Sequence, residues 1–297
     1  MGHRPRDRTA PDGLVVVDKP AGMTSHDVVA RVRKLAGSRK VGHAGTLDPM
    51  ATGVLLVGIE RATRLLGHLA LTDKTYDATI RLGISTITDD AEGEVIASTD
   101  ASAVSDDAIR AGVRILTGDI LQRPSSVSAL KVDGVRAHVR VRAGEELDLP
   151  ERPTRVSLFE VHDIRREGLL IDIDVTVECS TGTYIRALAR DLGSALGVGG
   201  HLTSLRRTRV GAFGIELAHP LAELEQSFAF EPLGKVVAAA FGRIEVDEIT
   251  ADSVLHGGQI PVPANCYGAV GIYGPDGAVL SLAEPRGEIM AALVVFS

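Results

Sequence analysis

The sequence predicts a mixed α+β fold: a central, largely antiparallel sheet carrying helices, followed by a small C-terminal β domain. Three observations predict it. Ile171, Ile173, Val175 and Val177 alternate with Asp172, Asp174 and Thr176, the pattern of an antiparallel strand with one buried face. Val28, Val29, Val32 and Leu35 recur at helical spacing. From about Ile244 the texture changes to short apolar runs punctuated by glycine and proline. With 297 residues, 44% of them hydrophobic, the chain has material for a sizeable core in one large domain or two smaller ones.

Residues 1–12 are polar and basic without an apolar stretch, which reads as a flexible tail rather than a signal peptide or anchor. Leu14–Val17 is a buried strand, ended by Asp18-Lys19-Pro20-Ala21-Gly22. Thr24 or Ser25 caps the helix that follows, with Arg31 and Lys34 off its apolar stripe. Next comes Gly42-His43-Ala44-Gly45-Thr46-Leu47-Asp48-Pro49-Met50-Ala51-Thr52-Gly53, running into the buried strand Val54–Ile59. Pro49 biases Asp48 toward extended geometry and offers no N–H. A carboxylate on a small-residue loop at the mouth of a strand is either turn chemistry or a presented reactive group. The residues alone leave both open.

A short helix is expected over 62–69. Lys74–Arg81 then alternates as a half-buried strand that carries Tyr76, in a chain with 3% aromatic residues. A helix is expected over about 106–116, and Asp133-Gly134 signals a hairpin turn. Strands over 154–164 and 169–179 are joined through Arg166-Glu167-Gly168. With Thr183 as N-cap, Ile185, Leu188, Ala189, Leu192 and Leu196 line one face of a further helix. Arg186 falls in its first turn, where the helix dipole disfavours a cation, so an anion is expected nearby.

The net charge of −7 argues against a generally basic surface. The charge is segregated instead. No acid lies between Asp27 and Asp48, a stretch holding Arg31, Arg33, Lys34, Arg39, Lys40 and His43, and none lies between Asp191 and Glu216, where Arg206, Arg207 and Arg209 cluster. Acids gather at Asp89, Asp90, Glu92, Glu94, Asp106 and Asp107. Cys179 and Cys266 have no paired spacing and no His/Cys cluster around them, which suits a reducing compartment and gives neither a disulfide frame nor a zinc site. No apolar run approaches membrane-spanning length.

The stretch Gly42–Gly53 is very similar to the catalytic loop of the tRNA pseudouridine(55) synthases of the bacterial TruB type. Lys19-Pro20-x-Gly22-x-Thr24-Ser25, Lys74-Thr75-Tyr76, Ser180-Thr181-Gly182-Thr183-Tyr184-Ile185-Arg186 and His201–Thr208 resemble further motifs of that family. Residues 122–152 resemble its RNA-gripping insertion, with departures at Ser125, Val127 and His138 and with Arg136, Arg140 and Arg142 keeping the basic character. Ala251–Gln259 looks like the opening of the family's small RNA-binding barrel, the PUA domain. The resemblance is strong over about 13–210 and weaker beyond.

It implies a catalytic domain over 13–243 and an abbreviated PUA-like domain over 244–297, with the active cleft across the sheet. It implies isomerisation of uridine 55 in the tRNA T-loop. The N1–C1′ bond breaks, the uracil turns, and C5 joins C1′, without cofactor or metal. Asp48 is then the nucleophile, with C6 of the ring and C1′ of the sugar both open as its point of attack. Tyr76 stacks on the extracted base, Tyr184 and Leu205 shape the pocket, and His43 helps hold the flipped conformation. Arg186 keeps Asp48 ionised or meets an RNA phosphate. The partner is the T-arm of tRNA, with no membrane and no obligate protein partner evident, in the cytoplasm. Two competing readings remain: a nucleoside hydrolase, which releases free base, and a non-catalytic RNA-folding module, for which the basic patches suffice.

Overall fold

The computed structural model describes residues 10–125, 131–132, 135–136 and 149–296. Two compact units emerge, one from residues up to 49, 53–70 and 210 onward, the other from 50–52 and 71–209. The expectations on residues 1–9, Val127, His138, Arg140, Arg142 and the Asp133-Gly134 turn lie outside the described residues. The strands that flank this turn, Lys131–Val132 and Val135–Arg136, pair antiparallel.

In the first unit, Gly13–Lys19 runs antiparallel to Thr52–Ile59, in register from Gly13↔Ile59 to Lys19↔Gly53. Val41–Ala44 pairs with Thr52–Ile59 from Val41↔Ile59 to Ala44↔Leu56. Nearly every residue of the two longer strands is buried, so they read as apolar runs rather than alternations. Gly13 is required by a close approach: a Cβ there would stand 2.1 Å from the Glu231 carbonyl oxygen. The expected helix over 62–69 is a 3-10 turn, Glu60–Leu65, followed by the short helix Leu66–Ala70. Glu60 sits at φ 51, so the chain enters through a left-handed residue.

The C-terminal β region of this unit is a five-stranded sheet in the order Arg243–Glu245, Val270–Tyr273, Val279–Arg286, Ile289–Val295, Ile260–Pro261. One apolar cluster of the sheet, including Val270, Ile272, Leu280 and Met290, is closed by Ala251 and Val254 of the helix Glu248–Leu255. Tyr273, Val279, Leu282 and Phe296 join a different cluster, shared with Leu14, Val16, Val54, Leu56, Leu233 and Val236. Arg61 donates to the Phe296 carbonyl at 2.8 Å and to the Asp12 carboxylate at 2.6 Å.

The second unit is a run of antiparallel strands in the spatial order Lys74–Leu82, Leu170–Cys179, Arg152–Glu167, Gly118–Gln122, so the chain crosses from the first of these to the far edge and returns, with Gly200–Val210 beside Lys74–Leu82. The expected alternation holds. Ile171, Ile173, Val175 and Val177 are buried and face Leu82, Ile80, Ala78 and Tyr76 across the pair. The helix Ile185–Ala195 buries Ile185, Leu188, Ala189 and Leu192. The helix Asp106–Ile115 is capped by Ser105, whose hydroxyl accepts from the Ala108 N–H. Among the described residues no helix is long and apolar enough to cross a membrane.

Candidate active site

Asp48 stands in the irregular stretch between Val41–Ala44 and Thr52–Ile59, half-buried. The chain is pinned on each side of it. The Leu47 N–H donates to the Ser25 hydroxyl at 2.9 Å, and the same hydroxyl donates back to the Leu47 carbonyl at 3.1 Å. The Pro49 carbonyl accepts from the Gly22 N–H at 2.8 Å and from Lys19 Nζ at 3.1 Å. Lys19 is fully buried, and its ammonium also donates to the carbonyls of Pro20 at 2.9 Å and Met23 at 2.7 Å. A buried ammonium is tolerable only when so satisfied. Gly22, at φ +81, lets the 20–23 turn fold back onto that ammonium. Asp48 is thus carried by a loop whose flanking residues are fixed by buried groups, a preorganised presentation. His43, in Val41–Ala44, meets the ring of His26 edge to face at 5.4 Å between centroids.

The other expected residues lie in the second unit. Tyr76 and Leu205 are buried residues of the neighbouring strands Lys74–Leu82 and Gly200–Val210. Tyr184, not Thr183, is the N-cap of the helix Ile185–Ala195, and no side chain caps that helix. The Thr183 hydroxyl is turned back to the Ser180 carbonyl at 3.0 Å and lies against the Thr154 hydroxyl. Gln122 takes over instead: its buried amide accepts from the Tyr184 N–H at 2.8 Å and donates to the Tyr184 carbonyl at 3.0 Å.

Arg186 is buried in the first turn of that helix. It donates to the Thr88 carbonyl at 2.7 Å and pairs with Asp90 at 3.4 Å, with both side chains below one-tenth exposed. The anion demanded by its position is present, on a turn that sequence reading had assigned only to an acidic cluster. Asp90 is held in turn by the Glu92 N–H at 3.1 Å and the Thr88 hydroxyl.

The electrostatics of this unit follow burial. Desolvation lowers Lys74 to about 8, with Arg207 next in effect. Desolvation pushes the Cys179 thiol, its partner in strand register, up to about 11. The second basic cluster is split by strand alternation. Arg207 shares the inward face with Leu205 and is 1% exposed, whereas Arg206, on the opposite face, donates to the Thr52 hydroxyl at 3.3 Å; Arg209, two residues on from Arg207, is half-buried and pairs with Glu178 at 2.9 Å. Arg31, Arg33, Lys34, Arg39 and Lys40 of the first cluster are exposed. Among the described residues no group of three or more His, Cys, Asp or Glu side chains is placed to hold a metal ion.

Sequence reasoning missed Gln122, Asp90 and the support that Lys19 and Ser25 give to Asp48. Asp90 left a trace through the misplaced charge of Arg186, and Lys19 and Ser25 through the motif that holds them, although only the fold shows that they meet the Asp48 loop.

A family model described as the TruB family pseudouridylate synthase N-terminal domain matches residues 33–185, and one described as the tRNA pseudouridylate synthase B C-terminal domain matches 186–237. The chain is 55% identical over 294 residues to tRNA pseudouridine synthase B of Streptomyces griseus subsp. griseus, spanning 97% of this chain and 98% of that protein. It is 57% identical over 290 residues to the protein of the same name from Thermobifida fusca, spanning 96% and 99%. Among solved structures it resembles a chain of a Cbf5-Nop10-Gar1 complex, with a TM-score of 0.74 and 29% identity over 99% of this chain and 88% of that one. It also resembles a chain of an H/ACA RNP bound to a substrate RNA containing 2'-deoxyuridine, with a TM-score of 0.72 and 26% identity over 99% and 88%.

Proposed function

The chain belongs to the TruB family of pseudouridylate synthases, and we propose that it acts on uridine 55 in the T-loop of tRNA with Asp48 as nucleophile. The reaction is the isomerisation of uridine in tRNA to pseudouridine. The observation that carries the residue assignment is the pinning of Leu47 and Pro49, which fixes the main chain on both sides of one carboxylate. A carboxylate so held reacts without first being ordered, which lowers the entropic part of the barrier.

The target base leaves its stack, at a cost of a few kcal/mol that contacts with the flipped nucleotide offset. Tyr76 stacks on the extracted base, Tyr184 and Leu205 wall the pocket, and His43 supports the flipped conformation. Arg186 brings positive charge, which favours the ionised form of a carboxylate. Asp48 attacks the nucleotide and the N1–C1′ bond breaks. The uracil turns, C5 bonds to C1′, the C5 proton passes to solvent as Asp48 is released, and N1 takes up a proton in its place. The atoms of the substrate are conserved apart from that exchanged proton. The exposed cations of the 31–40 stretch and the segment 244–297 add sequence-independent contacts to the T-arm. Such a substrate is met in the cytoplasm.

Asp48→Asn tests this reading. Release of tritium from C5-labelled uridine in a T-loop substrate should fall more than about 1,000-fold. Affinity in a filter-binding assay should change by less than about twofold, because binding is spread over many phosphate contacts. Substantial tritium release by the variant, with deamidation excluded by mass spectrometry, removes the nucleophile. Loss of binding together with turnover makes Asp48 a structural residue.

A further inference from the structure

Arg190 stands one helical turn beyond Arg186 on the same face of the helix Ile185–Ala195. The two guanidiniums reach consecutive carboxylates of one turn, Arg186 to Asp90 at 3.4 Å and Arg190 to Asp89 at 3.2 Å. We propose that Arg190 is a positioning residue for Arg186: by holding Asp89 it fixes the Thr88–Asp90 turn, whose carbonyl and carboxylate set the Arg186 guanidinium. The inference rests on the reading that Arg186 serves uridine isomerisation.

The turn needs holding. Asp89 is a non-glycine residue at φ 60, a left-handed conformation that persists where surroundings impose it. Its main chain is tied by the Leu202 N–H at 3.1 Å, and the Asp90 carbonyl by the Thr86 hydroxyl at 2.7 Å. The Asp89 carboxylate, 12% exposed, takes its ion pair from Arg190 at 3.2 Å. Burial pushes its carboxyl upward toward the neutral form. Ser125, Arg190 and Arg186 oppose this, while Asp191 adds to it.

Arg190 is itself committed on three sides. Besides Asp89 it donates from Nη2 to the Arg123 carbonyl at 2.7 Å and from Nε to Asp191 at 2.9 Å. A planar fork can serve three segments at once, and a lysine ammonium on a flexible stem cannot reproduce that geometry. Arg190 therefore couples the 88–90 turn, the 122–125 strand end and the helix that carries Arg186. That strand end includes Gln122, which holds the Tyr184 main chain.

The experiment measures kcat and KM for tritium release from a C5-labelled T-arm substrate with wild type, Arg190→Gln, Arg190→Lys, Asp89→Asn and the Arg190→Gln/Asp89→Asn double variant. Arg190→Gln should lower kcat about 10- to 100-fold, the cost of a misplaced reacting group, with KM unchanged within about twofold. Arg190→Lys should fall between it and wild type. The double variant should lose no more than either single, because the two residues act on one turn. A wild-type kcat in folded Arg190→Gln, with only the melting temperature lowered, overturns the proposal. Multiplying losses in the double variant overturn the route through Asp89. Should Arg190→Gln fail to fold, Arg190→Lys decides: a lowered kcat at constant KM supports the proposal and a wild-type kcat ends it. Wild-type protein that releases no tritium removes the isomerisation reading and this inference with it, whereas active wild type beside an equally active variant removes the inference alone.

Discussion

The helix Ser25–Leu35 starts on a capping box closed between Thr24 and Asp27, whereas the helix Ile185–Ala195 starts with no side-chain cap and a buried arginine in its first turn. At the first junction the Thr24 hydroxyl accepts from the Asp27 N–H at 3.1 Å and the Asp27 carboxylate accepts from the Thr24 N–H at 2.9 Å. An acid there also suits the positive end of the helix dipole. At the second junction the Tyr184 N–H goes to Gln122, 62 positions away, and Arg186 reaches Thr88, 98 positions away. The first junction is built by its own sequence. The second is imposed by the rest of its unit. A helix start that breaks local rules and is rebuilt from afar is where a functional residue is to be sought.

The sharpest way to break this contrast is Arg186→Met. It leaves Asp90 buried without its cation and should cost about 3 kcal/mol in urea unfolding, alongside the loss of turnover. An unchanged midpoint would show that Arg186 does not hold its junction. Gln122→Ala removes both hydrogen bonds on the Tyr184 main chain and should cost about 2 kcal/mol. If instead it costs no more than a typical exposed-residue change, the junction closes without outside help and the contrast fails.

The smallest effect belongs to the local junction. Thr24→Ala should cost about 1 kcal/mol and leave kcat unchanged. Bonds from Thr24 hold the Asp27 carboxyl below its ordinary value of 3.8. The contribution of a carboxyl so lowered is fully present above the unfolded value and is lost as pH falls through the folded one. The melting-temperature gap between wild type and Asp27→Asn should therefore persist near neutral pH and close below pH 3.8. A gap that widens in acid reverses the sign and refutes the box.

The same contrast governs how much was legible. The strand Leu170–Cys179, the helices Ser25–Leu35 and Asp106–Ile115 and the buried runs around Asp48 follow from periodicity and caps, which are local. Thr183 looks like a cap because threonine is a good one, but its hydroxyl is engaged with Ser180 and Thr154. Arg206 and Arg207 read as one patch, although strand geometry sends their side chains to opposite faces. Gln122 carries no sequence signal, since a single amide is worth noticing only once the fold brings it to Tyr184. The misplaced charge of Arg186 announced an anion, but choosing Asp90 needed the turn.

The cluster that joins Leu14 and Val16 to Leu233, Tyr273 and Phe296 has a consequence for synthesis on the ribosome. The second unit is nearly continuous, and all of it has been made once residue 209 emerges. The first unit is not: its opening strands wait for residues from 210 onward before their apolar cluster is complete. At about 5–20 residues per second, the delay between residue 70 and Phe296 is roughly 10–45 s. During that interval Leu14, Val16, Val54 and Leu56 lack the part of their cluster supplied by Leu233, Tyr273 and Phe296, an apolar face open to nascent-chain chaperones, while the unit translated later can finish folding first.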